Sequence, residues 1–437
     1  MPLNLEVGII VIIAFLIMIF IGVPVTICMM ACGVIGSMFL LRTPMSALIM
    51  LSDSVLISFT NYITCVAPMF ILMGELATES RIGADLFDCF QKLIGHRKAG
   101  LASASQVVCA VFGAICGSVA ATCAMMSRVA YPQMKRYNYG DRLSTGCIAA
   151  GACLASLIPP SLHLITYGIV AEESIGKLFM GGIVTGVVLM ILFIITIRIW
   201  CVITPGIAPE KEKNAPFKEK LKAIRSGGFV EIILVFAVAM GGMFAGWFTP
   251  TEAGAVGFGG MLIVSIIFRR FTFNVLKKAL LNTVVTSGMI YCMLSGAYCF
   301  GKFFTITRIP NMLGGFVNEL GLTAVPVIII LTVIYLVLGC FIDGVPLILI
   351  TTPIFLPVVQ AVGFNSLWFG CYLVVIVGLG AVTPPVGMAC YLVSGTCRVD
   401  LAAVFRGSVP FMLAYVAMGV LMAVFPGIAT WLPNIIM

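Results

Sequence analysis

Apolar runs close to the roughly 20 residues that cross a bilayer recur along nearly the whole chain, and their repetition constrains the fold more than any single segment. A chain of this kind must satisfy its backbone hydrogen bonds inside each segment, which points to membrane-spanning helices. Composition agrees: 61% of the 437 residues are hydrophobic and 10% are charged, against about 25% charged in soluble domains. The first run, Val7 to Ile21, has no basic leader or small-residue cleavage site and leads straight into a second run, so it reads as a retained crossing. The net charge of +8 reflects lysine and arginine in cytoplasmic loops rather than a nucleic-acid partner. The 16 cysteines lack close CxxC spacing and lie in apolar segments, where they serve as small hydrophobes.

The longest polar stretch, residues 204–228, divides the chain into 1–203 and 229–437 and reads as a cytoplasmic linker. Landmarks recur between the halves at one offset of about 225 residues. Pro24 answers to Pro250, TESRI at Thr78 to Ile82 to TITRI at Thr305 to Ile309, and Pro132 to Pro357. Pro159-Pro160 likewise answers to Pro384-Pro385, and Gly182 to Gly407. The first half is expected to cross at about 4–22, 24–41, 61–77, 144–170 and 177–203, and the second at about 229–248, 252–268, 279–304, 367–395 and 405–430. Five crossings is an odd number, so the repeats are expected to be inverted. Both termini then lie outside, with Arg81, Lys92, Arg97, Lys98, Lys135, Arg136, Arg142, Arg269, Arg270, Lys277, Lys278, Arg398 and Arg406 in the cytoplasm. Arg42, Lys177, Lys302 and Arg308 fall at or near the outer side.

The segments that make poor membrane helices carry the chemistry. Cys109 to Pro132 is broken at Gly113 and Gly117-Ser118 yet has basic flanks at both ends, so it predicts a re-entrant helical hairpin within about 99–133. Leu336 to Pro357, broken at Gly339 and Gly344-Val345-Pro346, predicts a second hairpin within about 323–360, entering from the opposite face. Each hairpin precedes a crossing with a double-proline break, at about 144–170 and 367–395. Proline lacks an N–H, so Pro159 and Pro160 release the carbonyls of Ala155 and Ser156, and Pro384 and Pro385 those of Gly380 and Ala381. Such carbonyls coordinate sodium in transporters, and half-helix N-termini attract substrate anions; a pair of packing kinks is the plainer alternative. The predicted all-α integral membrane fold thus has inverted repeats, two re-entrant hairpins and two broken transmembrane helices.

On this reading one sodium ion is expected at Gly117, Ser118, Ala155, Ser156 and Ser161. A second is expected at Gly339, Gly380, Thr383 and Val386, with Asp343 in or beside it. Ile158 stands where Thr383 supplies a hydroxyl, so the two sites are expected to differ in affinity. Asp343 could instead cap the outgoing helix of its hairpin. Ser118, Thr122, His163 and Arg308 are the candidate substrate contacts, although Arg308 also reads as an ordinary flanking charge and Arg128 as a snorkelling one. Glu252, three residues after Thr249, predicts a helix cap. No nucleophile with its base, and no histidine or cysteine cluster, suggests an enzyme.

The same stretches resemble the large membrane subunit of the tripartite ATP-independent periplasmic (TRAP) transporters. The likeness rests on GVPVT at Pro24, CGSVAAT in the first hairpin, SLIPPS and KLFMGGI at Lys177, FTPTEAGAVG, DGVPLILITTPIFLPVV and GAVTPPVGM. It implies an elevator mechanism, sodium as the coupling ion, a small four-helix membrane subunit, a periplasmic substrate-binding protein and a bacterial inner-membrane location. The expected cargo is a small organic anion such as a carboxylate, a sulfonate or a sialic acid. A stand-alone sodium-coupled dicarboxylate carrier of similar architecture is the alternative. Thr122 replaces an aspartate common in that resemblance, and His163 an apolar residue or proline; both departures lie at the expected site.

Overall fold

A computed structural model describes residues 3–41, 43–80, 82–97, 99–209, 216–226, 229–319, 321 and 323–436. Arg42, Arg81, Lys98 and residues 210–215, 227 and 228 of the predicted linker lie outside the described residues. The first half contains α1 (Leu3–Phe20), α2 (Val25–Leu40), α3 (Pro44–Thr60), α4 (Val66–Glu79), α5 (Ile82–Ile94), α6 (Gly100–Cys116), α7 (Val119–Arg136), α8 (Asp141–Ala152), α9 (Leu162–Val170) and α10 (Ile175–Ile203). After α11 (Phe217–Ser226) follow α12 (Phe229–Phe244), α13 (Pro250–Ile267), α14 (Phe273–Thr307), α15 (Ile309–Glu319), α16 (Ala324–Gly339), α17 (Gly344–Ala361), α18 (Ser366–Val382), α19 (Met388–Cys397), α20 (Leu401–Val424) and α21 (Gly427–Ile436). Seven helices are long and apolar enough to cross a membrane, and several shorter apolar ones accompany them among the described residues.

Helix order repeats. From α1 and α12 onward, corresponding helices begin about 225 residues apart, with α3 and α4 together standing where α14 runs unbroken. No crossing is expected between 41 and 61, yet Pro44–Thr60 forms α3. The reason for the difference between halves is Pro68: it has no N–H for the carbonyl of Thr64, and a 3-10 turn at Tyr62–Cys65 separates α3 from α4. Tyr291 of α14 donates its hydroxyl to that carbonyl at 3.4 Å. The corresponding position in α14 is Ser295, and there the helix continues for 35 residues, about 50 Å at 1.5 Å per residue.

Burial differs widely between helices. Fifteen residues of the 17-residue α6 and fifteen of the 17-residue α18 are buried, as expected of helices at the centre of a bundle. Helix α1 buries only Gly8, Val11 and Phe15 and presents Ile9, Ile10, Ile13 and Ile17 outward. Helices α6–α10 and α16–α20 form the inner body; α1–α4 and α12–α14 pack on one another around it, with α4 meeting α6 and α14 meeting α17. Thr249 and Glu252 cap α13 reciprocally, as the sequence predicts: Glu252 accepts from the Thr249 N–H at 2.8 Å, and Thr249 accepts from the Glu252 N–H at 3.3 Å.

Loop contacts sort the helix ends. At one end of the bundle Gly140 donates its N–H to Ile207 at 2.9 Å, joining the α7–α8 turn to the end of α10, while Tyr139 accepts from the Leu101 N–H at 3.2 Å. The linker helix α11 packs on α5, and Arg270 after α13 pairs with Asp85 of α5 and donates to the Ser80 carbonyl at 3.3 Å. At the opposite end Tyr167 of α9 donates to the Ser366 carbonyl at 2.7 Å, and Trp368 donates to that of Met422 at 2.9 Å. The α6–α7 hairpin therefore opens on the first end and the α16–α17 hairpin, whose outgoing arm leads into Ser366, on the second.

Candidate functional site

The first hairpin turns at Gly117-Ser118 and the second between Gly339 and Gly344; of the other expected breaks, Gly113 lies inside α6 and Val345-Pro346 in the first turn of α17, where proline costs no helix hydrogen bond. Each turn sits on the break of the helix that follows. Gly117 ends α6 with a positive φ of 59°, and a Cβ there would fall against the Pro160 carbonyl oxygen. One turn earlier, a Cβ on Gly113 would lie 2.7 Å from the Cα of Ala155. The second hairpin repeats the arrangement: a Cβ on Gly380 would lie 2.9 Å from the carbonyl carbon of Gly339. The repeat offset turns the pair Gly113 and Ala155 into Gly339 and Gly380. Both prolyl pairs, Pro159-Pro160 and Pro384-Pro385, are cis.

Local hydrogen bonds determine which backbone oxygens remain available. In the first break Ser161 caps α9, accepting from the Leu164 N–H at 3.2 Å and donating to the Ser156 carbonyl. Ser156 donates its hydroxyl to Cys153 at 2.7 Å. At the neighbouring tip Ser118 caps α7, and the buried Thr122 donates to the Ser118 carbonyl at 2.9 Å, so Thr122 holds the tip in shape. In the second break the Gly380 carbonyl accepts the Thr383 N–H at 3.1 Å, and Thr383 donates its hydroxyl to Leu379 at 2.7 Å. A carbonyl oxygen has two lone pairs and a hydroxyl oxygen likewise, so the Ser156 and Gly380 carbonyls and the Ser118, Ser161 and Thr383 hydroxyls keep acceptor capacity for a cation, whereas the Ser118 carbonyl already accepts from both the N–H and the hydroxyl of Thr122.

The two breaks differ in their surroundings. Ala155, Ser156, Ile158 and Ser161 are buried, whereas Thr383 is half-buried and Val386 is 39% exposed. Asp343 stands at the N-cap position of α17 but makes no side-chain cap hydrogen bond, so its exposed carboxylate is not spent on the helix. Cys340 donates its thiol to the Pro384 carbonyl at 3.2 Å, a link across hairpin and break that no motif announces.

Between the tips lies a cavity of about 280 Å³, bordered by Gly117, Ser118, Ser156, His163, Asp343 and Gly344. Thr286, Met289 and Ile290 of α14 also border it. These three went unnoticed in the sequence because nothing in a long uninterrupted helix signals which of its turns faces a hairpin. Of the predicted substrate contacts, Ser118 and His163 reach the cavity. Arg308 is exposed at the end of α14 with a φ of 60°, and Arg128 is exposed on α7; neither borders the cavity.

Comparison with known proteins places these motifs in context. Residues 12–428 match the family described as "Tripartite ATP-independent periplasmic transporter, DctM component". A C4-dicarboxylate TRAP transporter large permease protein of Pseudomonas aeruginosa is 28% identical, over 86% of this chain and 87% of that protein. An ectoine TRAP transporter large permease protein of Halomonas elongata is 30% identical, over 84% and 85%. Among solved structures, the YdaH transporter of Alcanivorax borkumensis shares the fold with a TM-score of 0.57 at 14% identity, over 87% of this chain and 89% of that one.

Proposed function

Because the chain belongs to the DctM-component family, the large permease subunits of TRAP transporters, we propose that it imports a small organic anion at the expense of a sodium gradient. The anion would be a carboxylate, sulfonate or sialic-acid-like molecule delivered by a periplasmic binding protein. A small four-helix membrane subunit would complete the assembly in the bacterial inner membrane. One observation carries the reading: two hairpin tips, each seated by glycine on a proline-broken helix, border one cavity. Irregular backbone at membrane depth persists where protein covers it or where it lines a wet cavity, and here the tips pack on protein and border a cavity.

The first sodium site comprises Gly117, Ser118, Ala155, Ser156 and Ser161. The second comprises Gly339, Gly380, Thr383 and Val386 with Asp343 beside it. A cation at each would draw on the acceptor capacity left by the local hydrogen bonds and so tie a hairpin to its broken helix. Anion binding between the tips then has two countercharges close by. The inner body, joined to the outer one chiefly through α4–α6 and α14–α17, is the unit that would move in an elevator step. The smooth apolar exteriors of α1, α12 and α13 suit lipid or a small membrane subunit.

Proteoliposomes supply the test. Uptake of a labelled substrate is expected only with the large subunit, small subunit and binding protein together and only under an inward sodium gradient. Concentrative uptake by this chain alone would favour a stand-alone carrier, and uptake indifferent to sodium would remove the coupling assignment.

A further inference from the structure

The cavity between the hairpin tips has an unusual charge inventory for a site that is to hold an anion. Among the described residues bordering it, Asp343 is the one charged side chain; no lysine or arginine is present, and much of the wall is apolar, including Val345, Met289 and Ile290. The other strongly polar side chain is His163, on the first turn of α9. It is 8% exposed, and its Nδ1 has no hydrogen-bond partner among the described residues. Its Nε2 occupies the space that a Cβ on Gly344 would need, so the imidazole lies directly on the tip of the second hairpin, one residue from Asp343. A buried polar atom without a partner costs free energy unless a ligand satisfies it.

We infer that His163 and Asp343 form a selectivity pair that recognises a small 2-hydroxy monocarboxylate in preference to a dicarboxylate. The inference rests on the proposed transport function and names the substrate class of that same site. A neutral imidazole offers one N–H donor and one acceptor, and a carboxylate offers acceptors alone. A carboxylate accepting from His163 and an adjacent hydroxyl donating to Asp343 would match this wall. Charge points the same way: the two proposed sodium ions offset Asp343 and leave one positive charge, which a monoanion balances and a dianion exceeds. Within a largely apolar cavity an unbalanced charge is strongly disfavoured. Histidine at this position therefore narrows the cargo, whereas an apolar residue there would leave recognition to backbone and ions.

Direct binding to the full chain, purified in detergent with its small membrane subunit, tests the pair without the binding protein's own selectivity. Lactate, succinate and ectoine are the probes, titrated by thermal shift with and without sodium. Lactate is expected to bind at least about tenfold more tightly than succinate, the discrimination that one charge-assisted hydrogen bond provides. His163→Leu and His163→Phe should each weaken lactate binding by about tenfold or more, while His163→Asn, which keeps a donor, should recover much of it. The phenylalanine variant retains a ring and carries the test should the leucine variant not fold. Equal binding of lactate and succinate, tighter binding of ectoine, or indifference of lactate to both apolar variants would overturn the inference. The sodium response separates this from the coupling proposal. Selectivity kept without any sodium effect would support the His163 hydrogen bond while removing both the sodium charge balance and the coupling, and a sodium effect without selectivity would overturn the inference and keep the coupling.

Discussion

Thr383 and Asp343 show how far single residues specify the proposed second ion site. Thr383 keeps acceptor capacity on its hydroxyl oxygen while donating to Leu379 at 2.7 Å, and Asp343 spends no side-chain hydrogen bond on capping α17. Thr383→Val preserves shape and removes one oxygen, so the sodium concentration for half-maximal uptake should rise severalfold, about tenfold for each 1.4 kcal/mol of lost coordination. Asp343→Asn removes the charge that offsets a cation and should uncouple or abolish transport. Sodium titrations of uptake by the reconstituted assembly check both. Wild-type sodium dependence in the two variants together would return the proline breaks to the role of structural kinks. Both residues were legible beforehand, because intramembrane carboxylates are rare and a hydroxyl beside a proline break is conspicuous. Thr122 was legible only as a departure, and the structure spends its hydroxyl on the Ser118 carbonyl.

Hairpin and broken helix act as one unit at the scale of elements, since glycine lets their backbones meet. Gly117 combines a positive φ with direct contact on the Pro160 carbonyl, whereas Gly22 shares the positive φ, 91°, but has open space around it. Alanine at either position pays the left-handed penalty of about 1–2 kcal/mol. Only at Gly117 must the tip also lift off α9's break. Gly117→Ala should therefore lose most uptake and a further 2 kcal/mol or so of stability, while Gly22→Ala should transport near normally. Uptake assays and thermal melts of the two variants side by side decide the point; equal behaviour would mean that the tip is not seated as described. The asymmetry between α3–α4 and α14 belongs to this scale as well. One proline, Pro68, divides a helix that its counterpart carries through unbroken, with Tyr291 receiving the released carbonyl.

For the whole molecule, the contacts gather Lys92, Arg97, Lys135, Arg136, Arg142, Arg269 and Arg270 with α11 at one end of the bundle. Lysine and arginine concentrate on the cytoplasmic side of membrane proteins, so that end is proposed to face the cytoplasm. Lys218→Cys in α11, exposed in the structure, should resist an impermeant thiol reagent in intact cells and react after lysis, whereas Asn434→Cys in α21 should react from outside. Because the native chain carries an exposed Cys292, labelling is best scored against a Cys292→Ser background. Labelling of Lys218→Cys from outside would overturn the orientation and the inverted-repeat reading with it.

Sequence by itself determined where backbone regularity fails. Glycine and proline act through covalent geometry, so the turn at Gly117-Ser118, the end of a helix at Gly339 and the breaks at Pro159-Pro160 and Pro384-Pro385 could be placed before any contact was known. It likewise determined that the chain is helical and membrane-embedded, because hydropathy is summed over whole segments. Tertiary structure alone decided which surfaces meet. That Gly113 lies on Ala155 as Gly339 lies on Gly380, that α14 contributes Thr286 and Met289 to the cavity, that Arg308 stays outside it, and that His163 faces the second hairpin's tip are relations between segments far apart in the chain. Local propensity carries no information about such distances; they follow from how close-packed side chains and glycine gaps fit across the two halves.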